Sequence, residues 1–173
     1  TNLDVETKMK VLFSYYNITD GDSSLKPQAY ELLAILIEKH PDNSLAYVLY
    51  GDFLSRDKKY KEANNNYQLA LQTDSAKYEV WEQILFNCSQ INDFATMNQI
   101  STRAVGLFPE QPLLYLFNGI SHHQLKNYAE AAKILEKGVK LVYGDNKLKA
   151  EFYKFMGDAY YYSENKEKSF HSY

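Results

Sequence analysis

The sequence predicts an all-α fold built as a stack of antiparallel helix pairs. Three observations carry that reading. Gly51 and Gly119 lie 68 residues apart, and so do Pro41 and Pro109; half of that spacing is 34 residues, the period of helix–turn–helix arrays. Gly and Pro are sparse, with 7 and 4 copies in 173 residues, so most of the chain carries no backbone obstacle to helix. Alternating apolar and polar stretches enriched in β-branched residues, the signature of strands, are not evident.

The repeat can be followed residue by residue. With Ser44 as the first position, Gly51 is eighth, Ala63 twentieth, Tyr67 twenty-fourth and Ala70 twenty-seventh. One period on, Trp81 is fourth, Leu85 eighth, Ala104 twenty-seventh and Pro109 thirty-second. The next unit gives Tyr115, Gly119, Ala131, Leu135 and Gly138. Four extra residues then intervene, best placed at Tyr143-Gly144-Asp145-Asn146, which is turn chemistry. The unit after them reads Tyr153, Met156, Gly157 and Tyr160. Upstream, a degenerate unit places Phe13, Ala29, Leu33 and Pro41 at positions four, twenty, twenty-four and thirty-two. Small residues at eight and twenty let the two helices of a hairpin approach, and a small residue at twenty-seven admits the next unit. Large residues at four, seven, eleven and twenty-four fill the space between. Proline at thirty-two ends the second helix. One unit departs from this pattern: Leu85, Met97 and Ser101 stand where a small, a small and a large residue are expected, which predicts altered helix spacing there.

The pattern resembles the tetratricopeptide repeat family. It is carried by Tyr50-Gly51-Asp52 with Tyr60-Lys61-Glu62-Ala63, by Trp81 through Pro109, and by Met156-Gly157-Asp158-Ala159-Tyr160-Tyr161 with Lys166 to Phe170. The resemblance covers about residues 44–173 and implies a right-handed α-solenoid, a single array with units at about 3–43 (degenerate), 44–77, 78–111, 112–149 and 150–173 (truncated). Helices are expected at about 3–17, 25–39, 44–56, 60–73, 77–90, 93–107, 112–125, 128–142, 147–163 and 166–173. Candidate N-caps are Asn43 or Ser44, Asp74 or Ser75, Asn92 or Asp93, and Ser163 or Asn165. The last helix is short and leaves one apolar end uncapped. Either the natural chain continues, or this end associates with another copy.

Composition narrows the function classes. A net charge of −3 is too mild to argue for nucleic acid, and no apolar run approaches the roughly 18 residues that span a bilayer. The expectation is a soluble piece, cytoplasmic or periplasmic, with the compartment itself unassigned. Cys88, the single cysteine, rules out an internal disulfide. It falls at a packing position, and its neighbours offer neither a base nor a positive setting for a nucleophile. His122-His123 would point about 100° apart on a helix, so both do not readily bind one ion. Asp20-Gly21-Asp22-Ser23-Ser24 lacks the ligand spacing of a calcium loop and reads as a solvated turn. The sequons at Asn17 and Asn87 fit chance occurrence. No catalytic constellation, metal site or cofactor motif emerges, and the expectation is a non-enzyme without cofactor.

What remains is a binding surface. The resemblance implies that the first helix of each hairpin lines a concave face that binds peptides or proteins. Its positions two, five, nine, twelve and thirteen map the candidate contacts onto Val48 and Asp52; Glu79, Glu82 and Phe86; Leu113, Leu116 and Ile120, with His123; and Lys154, Asp158 and Tyr161, with Glu151 and Tyr162. Leu113, Leu116 and Ile120 share one helical stripe. The flanking charges are mostly acidic, which favours a basic or neutral ligand. Some members of the family clamp a terminal carboxylate with a basic residue at five and Asn at nine. Here those positions hold Val48/Asp52, Glu82/Phe86, Leu116/Ile120 and Lys154/Asp158, so that clamp is absent.

Overall fold

A computed structural model describes residues 4–163 and residue 171, and among these the regular structure is helical throughout. The helix expected at 166–173 and the cap at Asn165 lie outside the described residues, His171 excepted. The chain divides into two compact units, residues 1–80 and 81–173.

The first unit holds α1 (Val5–Gly21), α2 (Lys26–Lys39), α3 (Ser44–Arg56) and α4 (Tyr60–Thr73). Asp4 caps α1, its carboxylate accepting the Thr7 amide at 2.8 Å. This helix runs four residues past the expected end at 17, into the polar stretch read as a turn. Thr19 explains the extension. It is 1% exposed, and its hydroxyl donates to the Tyr15 carbonyl at 2.7 Å while accepting from Arg56 Nη2 at 2.7 Å. A positive guanidinium in the last turn also suits the negative end of the helix dipole. The turn itself shrinks to Asp22 and a short 3-10 segment, Ser23–Leu25. Asn43 caps α3, as expected. Asp74 does not cap the following helix. It ends α4 and accepts the Ala76 amide at 3.1 Å, and α5 begins at Tyr78. The core joins three helices: Met9 and Leu12 of α1, Ala29, Leu33 and Leu36 of α2, and Ala46, Leu49 and Phe53 of α3. Burying each large side chain here contributes about 1.5–3 kcal/mol.

After α5 (Tyr78–Gln90), the second unit holds α6 (Phe94–Leu107), α7 (Pro112–Gln124), α8 (Tyr128–Gly138) and α9 (Asn146–Tyr162). Asp93 caps α6 and Asp145 caps α9. The expected helix 128–142 tightens to a 3-10 turn at Val139–Leu141. Leu116, Ala131, Ala132, Leu135, Val142, Phe152, Met156, Ala159 and Tyr160 form the core, drawn from α7, α8, α9 and the segment before α9.

The repeat positions do the packing work assigned to them. A Cβ on Gly51 would sit 2.5 Å from the Tyr67 ring, and one on Gly119 would sit 2.4 Å from Leu135, so position eight of each hairpin lies against position twenty-four. A Cβ on Gly138 would meet Tyr115 at 2.4 Å and Phe152 at 2.6 Å. The period also shows in the backbone. Among the described residues, Lys58, Asn92 and Lys126 are the non-glycine residues with positive φ, at 60°, 55° and 64°, and each is 34 residues from the next. In each turn the residue after it returns its amide to a carbonyl five residues back: Lys59 to Leu54, Asp93 to Cys88 and Asn127 to His122, at 2.8–2.9 Å. That closes the first helix of the hairpin and launches the second.

Candidate functional site

The candidate contact residues divide by burial. In the first unit, Val48 is half-buried on α3. Asp52, one turn on, is also half-buried and accepts the Tyr67 hydroxyl at 2.7 Å. Burial raises the Asp52 carboxyl above its ordinary value, only partly opposed by the Tyr67 hydrogen bond, and burial together with that carboxylate pushes the Tyr67 phenol up. Asp52 therefore spends its charge on an internal bond between α3 and α4. Glu79, at the start of α5, is exposed. Arg56 sits with its guanidinium over the rings of Tyr16 and Phe53 rather than reaching outward.

In the second unit, Glu82 is half-buried and Phe86 is 50% exposed on α5. The stripe on α7 is mostly packing. Leu116 is 6% exposed and belongs to the core, and Leu113 and Ile120 are half-buried against it. On α9, Lys154 is exposed and lies 3.7 Å from Glu151, Asp158 is half-buried, and Tyr161 is 59% exposed.

The structure gathers some of these at one place, where the end of α7 meets the end of α9. His123 contacts three aromatic rings edge-on, with centroids at 5.3 Å to Tyr128, 6.2 Å to Phe155 and 5.9 Å to Tyr162. Tyr128 and Tyr162 stack at 5.0 Å and 24°, and Tyr161 meets Tyr162 at 84°. Both ring nitrogens of His123 are buried without a hydrogen-bond partner. Burial lowers the imidazole below its usual value, and the nearby Asp158 charge opposes that shift only in part. His123 is therefore a neutral aromatic wall. It is not poised as a metal ligand, and among the described residues no group of three or more His, Cys, Asp or Glu side chains is arranged to hold a metal ion.

Other candidates settle as structure. Cys88 is fully buried, as is Asn87 of its sequon, and Asn17 lies within α1. Asp22 uses its carboxylate to accept the Ser24 amide at 2.9 Å. Among the described residues, no helix is long and apolar enough to cross a membrane.

Two features were missed by sequence reasoning. One is a buried polar network between α6 and α7. Asn118 Nδ2 donates to Ser101 Oγ and Thr102 Oγ1, each at 2.9 Å, Asn98 Nδ2 donates to Ser121 Oγ at 3.1 Å, and Ser121 Oγ donates to the Asn118 carbonyl at 2.7 Å. The signal was available: Asn118 and Ser101 are polar at positions seven and twenty-four, where large apolar residues are expected. The other is an apolar cleft between α1 and α2, lined by Val11, Leu12, Leu32, Ile35 and Leu36 with Lys8, Lys39 and His40. The exposed apolar residues at 11, 32 and 35 were its trace in the sequence.

Known proteins agree with this architecture. The chain superposes on the crystal structure of the MamA protein with a TM-score of 0.79, at 15% identity, covering 97% of this chain and 87% of that one. It superposes on YrrB, described as a TPR protein with an unusual peptide-binding site, with a TM-score of 0.73, at 17% identity, covering 93% and 80%. In sequence it is 27% identical over 112 residues to the human (Homo sapiens) N-alpha-acetyltransferase 16, NatA auxiliary subunit. It is 23% identical over 111 residues to the Arabidopsis thaliana N-terminal acetyltransferase A complex auxiliary subunit NAA15. The matched stretches are 65% and 64% of this chain but only 13% and 12% of those relatives. No family model matches the sequence.

Proposed function

We propose that this chain, an all-α solenoid with the tetratricopeptide-repeat fold, is a non-enzymatic scaffold that binds a peptide or protein partner on the face presented by the first helices of its hairpins. The helix pairs that follow the 34-residue ruler are the frame of that reading. The observation that carries it is the exposure of large aromatic side chains on those helices: Phe86 on α5 at 50%, and Tyr161 and Tyr162 on α9 at 59% and 56%. Exposed aromatics of this size are what interface anchors are made of. The fold it shares with YrrB supports the reading, since that protein is described by a peptide-binding site.

The test is a double substitution, Phe86→Ala with Tyr161→Ala, in the full chain. Both side chains are half exposed, so the fold is retained. A partner recovered with the parent protein should bind the variant at least about tenfold more weakly, the loss expected when interface anchors are truncated. Unchanged affinity, with intact helical circular dichroism, would show that this face is not the site.

A second reading has its own support. The similarity to auxiliary subunits of N-terminal acetyltransferase complexes favours a regulatory or targeting arm of a larger enzyme, with the matched 112 residues corresponding to about an eighth of such a subunit. Co-purification of the full-length protein with an acetyltransferase activity that the isolated chain lacks would support it.

A further inference from the structure

The hairpin of α1 and α2 packs one face on α3 and leaves a cleft open on another. Leu12 and Leu36, each 3% exposed, belong to the core and also floor the cleft. Val11, Leu32 and Ile35 wall it and stand 43%, 39% and 46% exposed. Leu36 falls at position twenty-seven of its unit, where the other units carry the small Ala70, Ala104 and Gly138. The cavity is about 210 Å³, and its apolar floor is continuous with the core.

The cleft is charged at one end only. The chain reverses through Asp22 and the Ser23–Leu25 turn, so the start of α1 lies beside the end of α2. Lys8 and Lys39 therefore share one end of the cleft with His40, whose Nε2 is buried and has no hydrogen-bond partner. Among the described residues, no acidic side chain lines it. Glu38 meets Lys39 at 3.2 Å, but their side chains are 71% and 64% exposed, and a pair so open to water holds its lysine weakly. Away from the lysines the lining is carbon: α2 rises about 10 Å between Leu32 and Lys39, with Ile35 and Leu36 between them.

We propose that this cleft binds a free medium-chain fatty acid, its tail between α1 and α2 and its carboxylate at Lys8 and Lys39. The site goes beyond the peptide-binding reading and does not depend on it. The cavity is smaller than the roughly 300–1,000 Å³ of drug-sized pockets, and a narrow unbranched chain suits its length. An extended peptide laid here would leave backbone N–H and C=O groups against carbon walls, whereas an alkyl chain has none to satisfy. Covering Val11, Leu32 and Ile35 supplies the affinity. Charge supplies the selectivity: two ammonium groups donate to a carboxylate more strongly than to a hydroxyl, and they repel an alkylammonium.

The test is a nuclear magnetic resonance titration of the full chain with decanoate below its micelle-forming concentration, against decanol and decyltrimethylammonium. Saturable shifts should centre on residues 8–12 and 32–40. Decanoate should bind about threefold to tenfold more tightly than decanol, and the cation should not saturate the site. From hexanoate to decanoate, affinity should rise about twofold to fourfold per methylene. Lys8→Met with Lys39→Met should erase the preference for carboxylate over alcohol while decanol binding persists. Equal binding of decanoate and decanol, affinity indifferent to chain length, or shifts centred elsewhere overturns the proposal on the parent chain alone. Dimerisation in light scattering that protects the same residues and that decanoate does not disperse gives the cleft to a second copy, and overturns it too. Each of these failures leaves the scaffold reading standing, since neither Phe86 nor Tyr161 lines the cleft.

Discussion

The side-chain amide of Asn118 donates to Ser101 Oγ at 2.9 Å, across two successive repeats whose pattern calls for large apolar residues at both positions. Ser101 is fully buried and Asn118 is 4% exposed, so neither has water to fall back on. Ser101→Ala should therefore destabilise the chain by about 1–2 kcal/mol, the cost of leaving part of a buried amide unsatisfied. Ser101→Leu restores the family pattern yet should cost more, about 2–3 kcal/mol, because it adds overpacking at a fully buried position. Urea unfolding of the two variants would check the order. A stabilised Leu variant would mean the network contributes nothing.

Position eight offers a second comparison. Gly119→Ala places a Cβ 2.4 Å from Leu135, which is itself fully buried, and should cost about 1–3 kcal/mol. Gly106→Ala, in α6 with nothing within 4 Å, should instead stabilise by up to about 1 kcal/mol through helix propensity. Thermal melts of the pair should move in opposite directions.

The hairpin turns can be improved. Lys126 holds φ at 64°, a conformation that costs an ordinary L-residue about 1–2 kcal/mol. Lys126→Gly removes that strain and gives back part of the gain as chain entropy, for a net stabilisation of about 0.5–1 kcal/mol. A lower denaturation midpoint for the glycine variant would contradict this.

The histidines set a pH dependence. His122 and His123 are both lowered from 6.5, each mainly by burial, opposed by Glu130 and Asp158 respectively. Below pH 6.5 the unfolded chain takes up protons that the folded chain resists. Their contribution to stability is thus present above 6.5 and is lost as pH falls toward the folded values. The raised Asp52 acts in the opposite sense, at lower pH. His123→Gln should flatten the fall in stability between pH 7.5 and 5.5, measured by denaturant midpoint. An unchanged slope would place the dependence elsewhere.

The sequence by itself determined where the described helices lie, though not the end of α1, together with the 34-residue ruler and the jobs of its small residues, because each of these is a local or periodic property. Gly51, Gly119 and Gly138 are where a neighbouring side chain approaches too closely for a Cβ, and that requirement is written directly in the residue type. Only the tertiary structure decided which surface residues are free. Leu116 looked like groove by position but is core, and Asp52 looked like a free charge but is bonded to Tyr67. Arg56 folds back onto α1 and carries that helix through a stretch that reads as a loop. The gathering of His123, Tyr128, Phe155 and Tyr162 likewise joins three helices. Repeat position says which helix face a residue sits on, but burial and pairing depend on side chains from other helices, and no local pattern encodes those.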